Sequence, residues 1–363
     1  MNRELQIKLN RIRDFLEQNS YDAMLLSNNE NFSWLSCGHN AFVDKSSPTA
    51  VAQLLITPNK QYVITNSSEQ FRIPQEELMG LEFEQITYNW YKNEKEVLGP
   101  FLNNKNITSD NGMMGTVNCY NEIASLRFQL TDFEVDRYRE IGTICSKIVE
   151  RCCYEIEPGQ NENEIAGKVT GRLMGAGFQV PVCLVAADDR LLKYRHPIPT
   201  TAIVENTAMI AVCAQKYGLT ISMSRIVSFV PLNDETQKKY TAVTNIDATC
   251  ILSTIAGAKT GDIVRQIHDA YRDSGYEKEF HFHHQGGATG YLTRDYCANE
   301  DYETIVLDHQ AFSWNPTISG VKVEDTFIVM GNRQEILSLT ETWPSIEVKI
   351  NDTIIRRPDI LIK

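Results

Sequence analysis

The sequence predicts an α/β domain followed by an α+β domain, and three observations carry that prediction. Helix-like and strand-like apolar patterns alternate over residues 5–98. A capping signature, Thr131-Asp132-Phe133-Glu134, opens a long amphipathic helix. Beyond it, helices and a central hairpin give way to a run of strand patterns over residues 304–362. The expected domains are residues 1–125 and 126–363.

Leu5, Leu9, Ile12, Phe15 and Leu16 recur at helical spacing, so residues 5–18 read as a helix with one apolar face. Residues 21–27 read as a buried strand, 28–31 as a turn and 32–38 as a second short segment. Strand patterns at 51–57 and 61–65 flank Pro58-Asn59-Lys60 and predict a hairpin. A helix is expected around 69–78, a strand at 83–87, and a helical turn at 94–98 stopped by Gly99-Pro100.

In the long helix, residues 132–154, Val135, Ile141, Ile144, Ile148 and Val149 form the apolar stripe. Pro158-Gly159 stops the chain, and Asn161-Glu162-Asn163-Glu164 caps a helix that runs to Met174. A strand at 180–186 precedes a loop, 188–200, that carries Arg190, Lys193, Arg195 and His196. Strands 208–214 and 219–229 pair across Lys216-Tyr217-Gly218, and helices follow at 233–254 and 263–273. The stretch from His283 to Tyr291 (His-His-Gln-Gly-Gly-Ala-Thr-Gly-Tyr) is a poor interior for any helix or strand. Glycine is used where backbone must turn sharply or approach a ligand, so imidazoles beside it mark a candidate site.

The formal net charge is −12 with no basic stripe, which argues against nucleic acid. No run approaches the roughly 18–20 apolar residues of a membrane span. The stretch from Met1 to Leu5 lacks the apolar region of a signal peptide. Nine cysteines, an odd number with no CxxC pair, several inside apolar runs, read as buried reduced thiols of a cytoplasmic protein.

Three motifs carry a resemblance. Tyr21-Asp22-Ala23-Met24-Leu25-Leu26 and Asn31-Phe32-Ser33-Trp34-Leu35-Ser36-Cys37-Gly38 match an "lDall … ni.YltG" pattern. Pro158-Gly159-Gln160-Asn161-Glu162 matches "pG.tE", and Gly320-Val321-Lys322-Val323-Glu324-Asp325-Thr326 matches "GvriEdt". With these, nearly the whole chain resembles the pita-bread family of aminopeptidase P, prolidase and creatinase. The resemblance implies a creatinase/prolidase-like N-terminal domain ahead of a pita-bread domain, and a homodimer. The metallopeptidases of that family hold two metal ions with two Asp, one His and two Glu. Those positions fall here on Ala211, Ser222, Gly287, Asn315 and Glu324. Only Glu324 keeps a ligand. One carboxylate offsets too little charge to hold two dications, so no metal and no other cofactor is expected. His283, His284 and Glu324 are the residues left for a replacement mononuclear site. Adjacent histidines on an extended segment point to opposite faces, which counts against it.

Creatinase resembles a member of the family that works without metal. By that comparison His196 matches the His that handles the proton, and Glu324 the retained carboxylate that orients substrate. The catalytic His that the family carries shortly past the metal His falls on Arg294. His196, His283 and Glu324 are therefore the candidate catalytic residues. His284, Gln285, Arg294, Asn315, Arg195, Ser222 and Trp314 are candidates for holding a small-molecule or short-peptide substrate. Several also have an ordinary structural reading: a surface side chain in a basic loop for His196, loop packing against glycine backbone for His283 and His284, a solvated side chain for Arg195, core filling for Trp314, and ion pairing with Lys322 or Arg225 for Glu324. Three functions stay open. The first is an Xaa-Pro-peptidase-like hydrolase that cleaves a small C–N-bond substrate without metal. The others are a non-catalytic binder and a metal-dependent Xaa-Pro peptidase with an atypical ligand set.

Overall fold

The computed structural model describes residues 2–103 and 105–363; Met1, which begins the stretch read above for a signal peptide, and Asn104 lie outside the described residues. The chain forms two compact units, which meet in sequence between Glu134 and Val135.

The first unit opens with α1 (Arg3–Gln18), whose Leu5, Leu9, Ile12 and Leu16 are buried as the periodicity requires. It continues through β1 (Ala23–Asn28), α2 (Asn29–Leu35), β2 (Thr49–Ile56), β3 (Gln61–Asn66), β4 (Glu84–Tyr88), α3 (Glu94–Leu102), β5 (Ile107–Ser109), β6 (Val117–Asn118) and α4 (Tyr120–Ser125). The strands form one sheet in the order β4-β3-β2-β1-β5-β6. β2 and β3 pair antiparallel as the expected hairpin, with Ile56 opposite Gln61. Ala23, Leu25, Leu55, Ile64, Leu98 and Ile107 pack as a core cluster.

Three local readings are corrected here. Residues 29–35 are a helix, buried on all sides, so their apolar pattern shows no period to read. The helix expected at 69–78 shrinks to a wide turn, Ile73–Glu77, with Pro74 inside it. α3 runs past Gly99-Pro100 because Phe101 and Leu102 pack against the core beside Leu98, which outweighs the lost backbone bond.

The capping box forms as read. Glu134 accepts from the Thr131 amide at 2.7 Å, and the Glu134 amide donates to Thr131 Oγ1 at 3.3 Å. It opens α5 (Asp132–Tyr154), followed by α6 (Glu162–Gly175), itself capped by Asn161 and Glu164. The second unit continues with β7 (Gln179–Ala187), α7 (Asp189–Lys193), β8 (Thr207–Lys216), β9 (Leu219–Ser228), α8 (Asp234–Ser253), α9 (Thr260–Asp273) and α10 (Glu277–Phe280). Then come β10 (Gly286–Ala288), β11 (Tyr296–Cys297), β12 (Ala311–Trp314), β13 (Thr317–Ile318), β14 (Val321–Lys322), β15 (Asp325–Met330) and β16 (Arg333–Ile336). β17 (Ser345–Ile350), β18 (Thr353–Pro358) and β19 (Leu361–Ile362) end the chain. One sheet runs β19-β9-β8-β7 and another β11-β10-β12-β15-β16.

The glycine stretch departs from its reading as a loop. β10 lies between β11 and β12, with Gly286 opposite Trp314 and Gly287 opposite both Ser313 and Cys297. The glycines suit a strand here because the neighbouring backbones come very close. A Cβ added at Gly287 would lie 2.3 Å from the Tyr296 carbonyl oxygen.

A buried charge network ties the second unit together. Arg225 of β9 donates to Glu150 of α5 at 3.1 Å and to Asp325 of β15 at 3.1 Å. Arg357 of β18 donates to Asp325 at 2.7 Å and also pairs with Asp247 of α8. Each charge has a partner of opposite sign, which is what burial demands. Arg225 is thus committed to Glu150 and Asp325 and is not the partner of Glu324.

None of the nine cysteines is in a disulfide. Six are buried as expected, whereas Cys297 is exposed and Cys37 and Cys183 are half-buried. Among the described residues, no helix is long and apolar enough to cross a membrane.

Candidate active site

The second unit holds a cavity of about 300 Å³. Leu184 of β7 and Ala211 of β8 contribute to its apolar wall. Its polar face includes six side chains that bear on the chemistry, His196, His284, Arg294, Asn315, Lys322 and Glu324. Five of these six were named from the sequence as site candidates. The sixth, Lys322, was read only as a structural partner of Glu324. Strand alternation was the available signal, since residues 322 and 324 fall on one side of an extended segment.

His196, on the loop after α7, turns its Nε2 to within 3.1 Å of His283 Nε2. One ring must donate and the other accept, so the two carry complementary tautomers. His284 lies alongside, its ring centroid 4.5 Å from that of His283 with only 23° between the planes. This corrects the expectation that adjacent histidines diverge. Residues 283–285 precede β10 and are not in regular strand, so the alternation rule does not apply to them. The three histidines offer ring nitrogens that all lie within 4.8 Å of one another.

Burial, followed by the Lys322 charge, pushes His283 down to about 2. Burial and then Arg294 push His284 down to about 4. His196 is lowered for the same reason as His283, burial first and Lys322 second. All three imidazoles are neutral at neutral pH.

Glu324 is clasped by two cations. Arg294 donates to its Oε1 at 2.8 Å, and Lys322 Nζ stands 3.7 Å from Oε2. Burial pulls this carboxyl upward, but Lys322 and Arg294 outweigh it and hold it below the usual range. Burial lowers Lys322 in turn. The cluster carries one net positive charge inside the cavity. Asn315 is buried and its Oδ1 has no hydrogen-bond partner, so it is left to meet whatever enters.

The remaining candidates stand elsewhere. Ser222 is fully buried behind the cavity, where it accepts from Arg294 at 3.3 Å and donates to Cys213 Sγ at 3.3 Å. Arg195 is committed to an ion pair with Glu279, which also accepts from the Ser319 amide. Gln285 braces its own loop, donating to the Phe280 and His283 carbonyls at 3.1 and 2.8 Å. Trp314 is fully buried, stacked on Phe312 and bonded through Nε1 to Thr254 at 3.0 Å, so it fills the core and is no wall of the cavity. These four side chains do not line the cavity, because each is consumed by a local partner.

The dinuclear metal centre implied by the family resemblance does not fit these residues. Ala211 offers no ligand atom, and Ser222 and Asn315 are neutral. At Gly287 the backbone has φ +153°, and a side chain would strike the Tyr296 carbonyl. The surviving Glu324 is already neutralised by Arg294 and Lys322, which stand in for the charge that metal ions would bring.

Comparison with known proteins agrees with the architecture. Residues 136–331 match metallopeptidase family M24, and residues 8–141 match the creatinase/prolidase N-terminal domain. An Xaa-Pro dipeptidase from Pyrococcus horikoshii is 21% identical over 354 residues, 92% of this chain and 97% of the relative. The crystal structure of the prolidase from Pyrococcus horikoshii OT3 superposes with a TM-score of 0.78 at 18% identity, covering 92% of this chain and 98% of that one. An Xaa-Pro dipeptidase from Bacillus anthracis superposes with a TM-score of 0.79 at 14% identity, covering 99% and 100%. With two adjoining family matches, one spanning more than half its length, the chain belongs to metallopeptidase family M24 and carries the creatinase/prolidase N-terminal domain ahead of that fold.

Proposed function

We propose that this protein is a prolidase-like hydrolase that cleaves a C–N bond in a small substrate bearing a carboxylate, using imidazoles in place of the family's metal pair. One observation carries the reading: neutral His196 and His284 share a 300 Å³ cavity with a clamped Arg294–Glu324–Lys322 cluster of net positive charge. The volume suits a dipeptide or a smaller molecule. A carboxylate would settle toward Lys322, whose hold on Glu324 is the looser of the two, while the amide of Asn315 meets the reacting group. Glu324 orients the substrate through these cations.

Hydrolysis of a C–N bond needs a proton removed from water and one delivered to the departing nitrogen. His196 is neutral at neutral pH and contacts His283, so it takes the water's proton and returns it to the amine. We further propose that the protein acts as a homodimer, on the family resemblance, and in the cytoplasm, on its nine unpaired cysteines.

The test is a panel of Xaa-Pro dipeptides and small guanidino and amide carboxylates, assayed with chelator present. Turnover that survives chelation and falls about 10²–10⁴-fold in His196→Ala supports the reading. Turnover that requires added manganese or cobalt would transfer the protein to the metal-dependent class. Binding without turnover would mark a non-catalytic member, a reading favoured by the sequestration of Glu324.

A further inference from the structure

The three histidines have a second capability that the proton-transfer role does not use. Each offers an sp² nitrogen lone pair, and the three candidate ligand atoms lie within 4.8 Å of one another. A tetrahedral ion with metal–nitrogen bonds of about 2.0–2.1 Å sets its ligands about 3.3 Å apart. The His196 and His283 Nε2 atoms, 3.1 Å apart, already stand near that spacing. His284, stacked on His283 at the mouth of the cavity, needs only a side-chain rotation to join them.

We propose that His196, His283 and His284 form a binding site for one borderline first-row dication, zinc(II) in the first instance. The site is separate from the five positions of the family's dinuclear centre, because none of these histidines occupies one of them. Imidazole ligands without a carboxylate select zinc, cobalt, nickel or copper over magnesium, calcium or manganese.

Two features set an upper limit on affinity. Lys322 and Arg294 repel added positive charge, as their effect on the histidines shows. His283 Nδ1 is buried with no hydrogen-bond partner, so nothing behind the ring fixes its orientation. The site therefore binds more weakly than a structural zinc centre. An ion held here consumes the lone pairs on which proton transfer by His196 depends. The ion is thus an inhibitor of the proposed hydrolase and not its cofactor, although ion binding itself does not rest on the catalytic reading.

The experiment uses the full chain, stripped of metal by chelator. Zinc is titrated by calorimetry, and cobalt(II) by the visible bands of a four-coordinate ion. One ion per chain is expected, with affinity reduced at least about tenfold in both His196→Ala and His284→Ala. His268→Ala serves as the control, because His268 lies beside Glu277 and Glu300, in a separate histidine–carboxylate cluster of this unit. Absence of saturable binding up to about 100 µM overturns the proposal. So does an ion whose affinity responds to His268→Ala and not to the other two. His284 is exposed, so its variant folds, and shifts of the histidine ring resonances in the unmutated protein give a second readout. Binding is scored without substrate, so its failure is distinguishable from a failure of the hydrolase assignment.

Discussion

At the scale of single residues, the site is defined by which charges are already spoken for. His283 and His284 are held neutral, with values of about 2 and 4 against an ordinary 6.5. The unfolded chain therefore binds more protons than the folded one between those values and 6.5. Stability is complete above pH 6.5 and falls as pH drops toward 4 and below. His283→Gln removes the largest part of that dependence. Its denaturation free energy, compared with that of the unmutated chain from pH 7 to 4, should fall with a shallower slope. Parallel curves would show that His283 titrates normally. The buried network makes a different prediction. Arg357→Met leaves Asp247 and Asp325 without one of their partners and should cost about 3–5 kcal/mol in urea denaturation. A loss under about 1 kcal/mol would mean that the carboxylates are relieved by water.

At the scale of elements, β10 is the strand on which the site's architecture depends. Gly287→Ala forces a Cβ against the Tyr296 carbonyl and should lower Tm by several degrees. Gly171→Ala is the contrasting substitution. It lies in the exposed middle of α6, with nothing within 4 Å of its added Cβ, and should stabilise by about 0.5–1 kcal/mol. Equal responses at the two positions would refute the packing account. Most elements were legible in the sequence because α1, α5, α6 and the β8–β9 hairpin carry clean periods and named caps. β10 was not legible, since its glycines have no side chains from which to read alternation. α2 was hidden because all its faces are buried, and the C-terminal turn of α3 because packing overrode Pro100.

At the scale of the whole molecule, charge is distributed unevenly. The chain carries −12 overall, yet its cavity cluster is positive. A small anion must approach an acidic exterior before it meets Lys322. Its association rate, followed by stopped flow, should therefore rise with salt below about 0.1 M, where that repulsion is still unscreened. A rate that falls with salt would show that the cavity's field reaches past the surface. The site was only half legible for a related reason. Sequence placed His196, His283, His284, Arg294, Asn315 and Glu324 near one another, but it could not show that Arg195, Gln285, Ser222 and Trp314 had each found a local partner. Nor could it show two imidazoles turned toward each other across a gap of many residues.

The tight approach of β11 to β10 also bears on redesign of the protein. With the strands closed over position 287, that position is latched to glycine. A histidine introduced there alone meets a carbonyl and supplies no ligand. An engineered metal centre at this position has to reopen the sheet first, before any carboxylate placed beside it is of use.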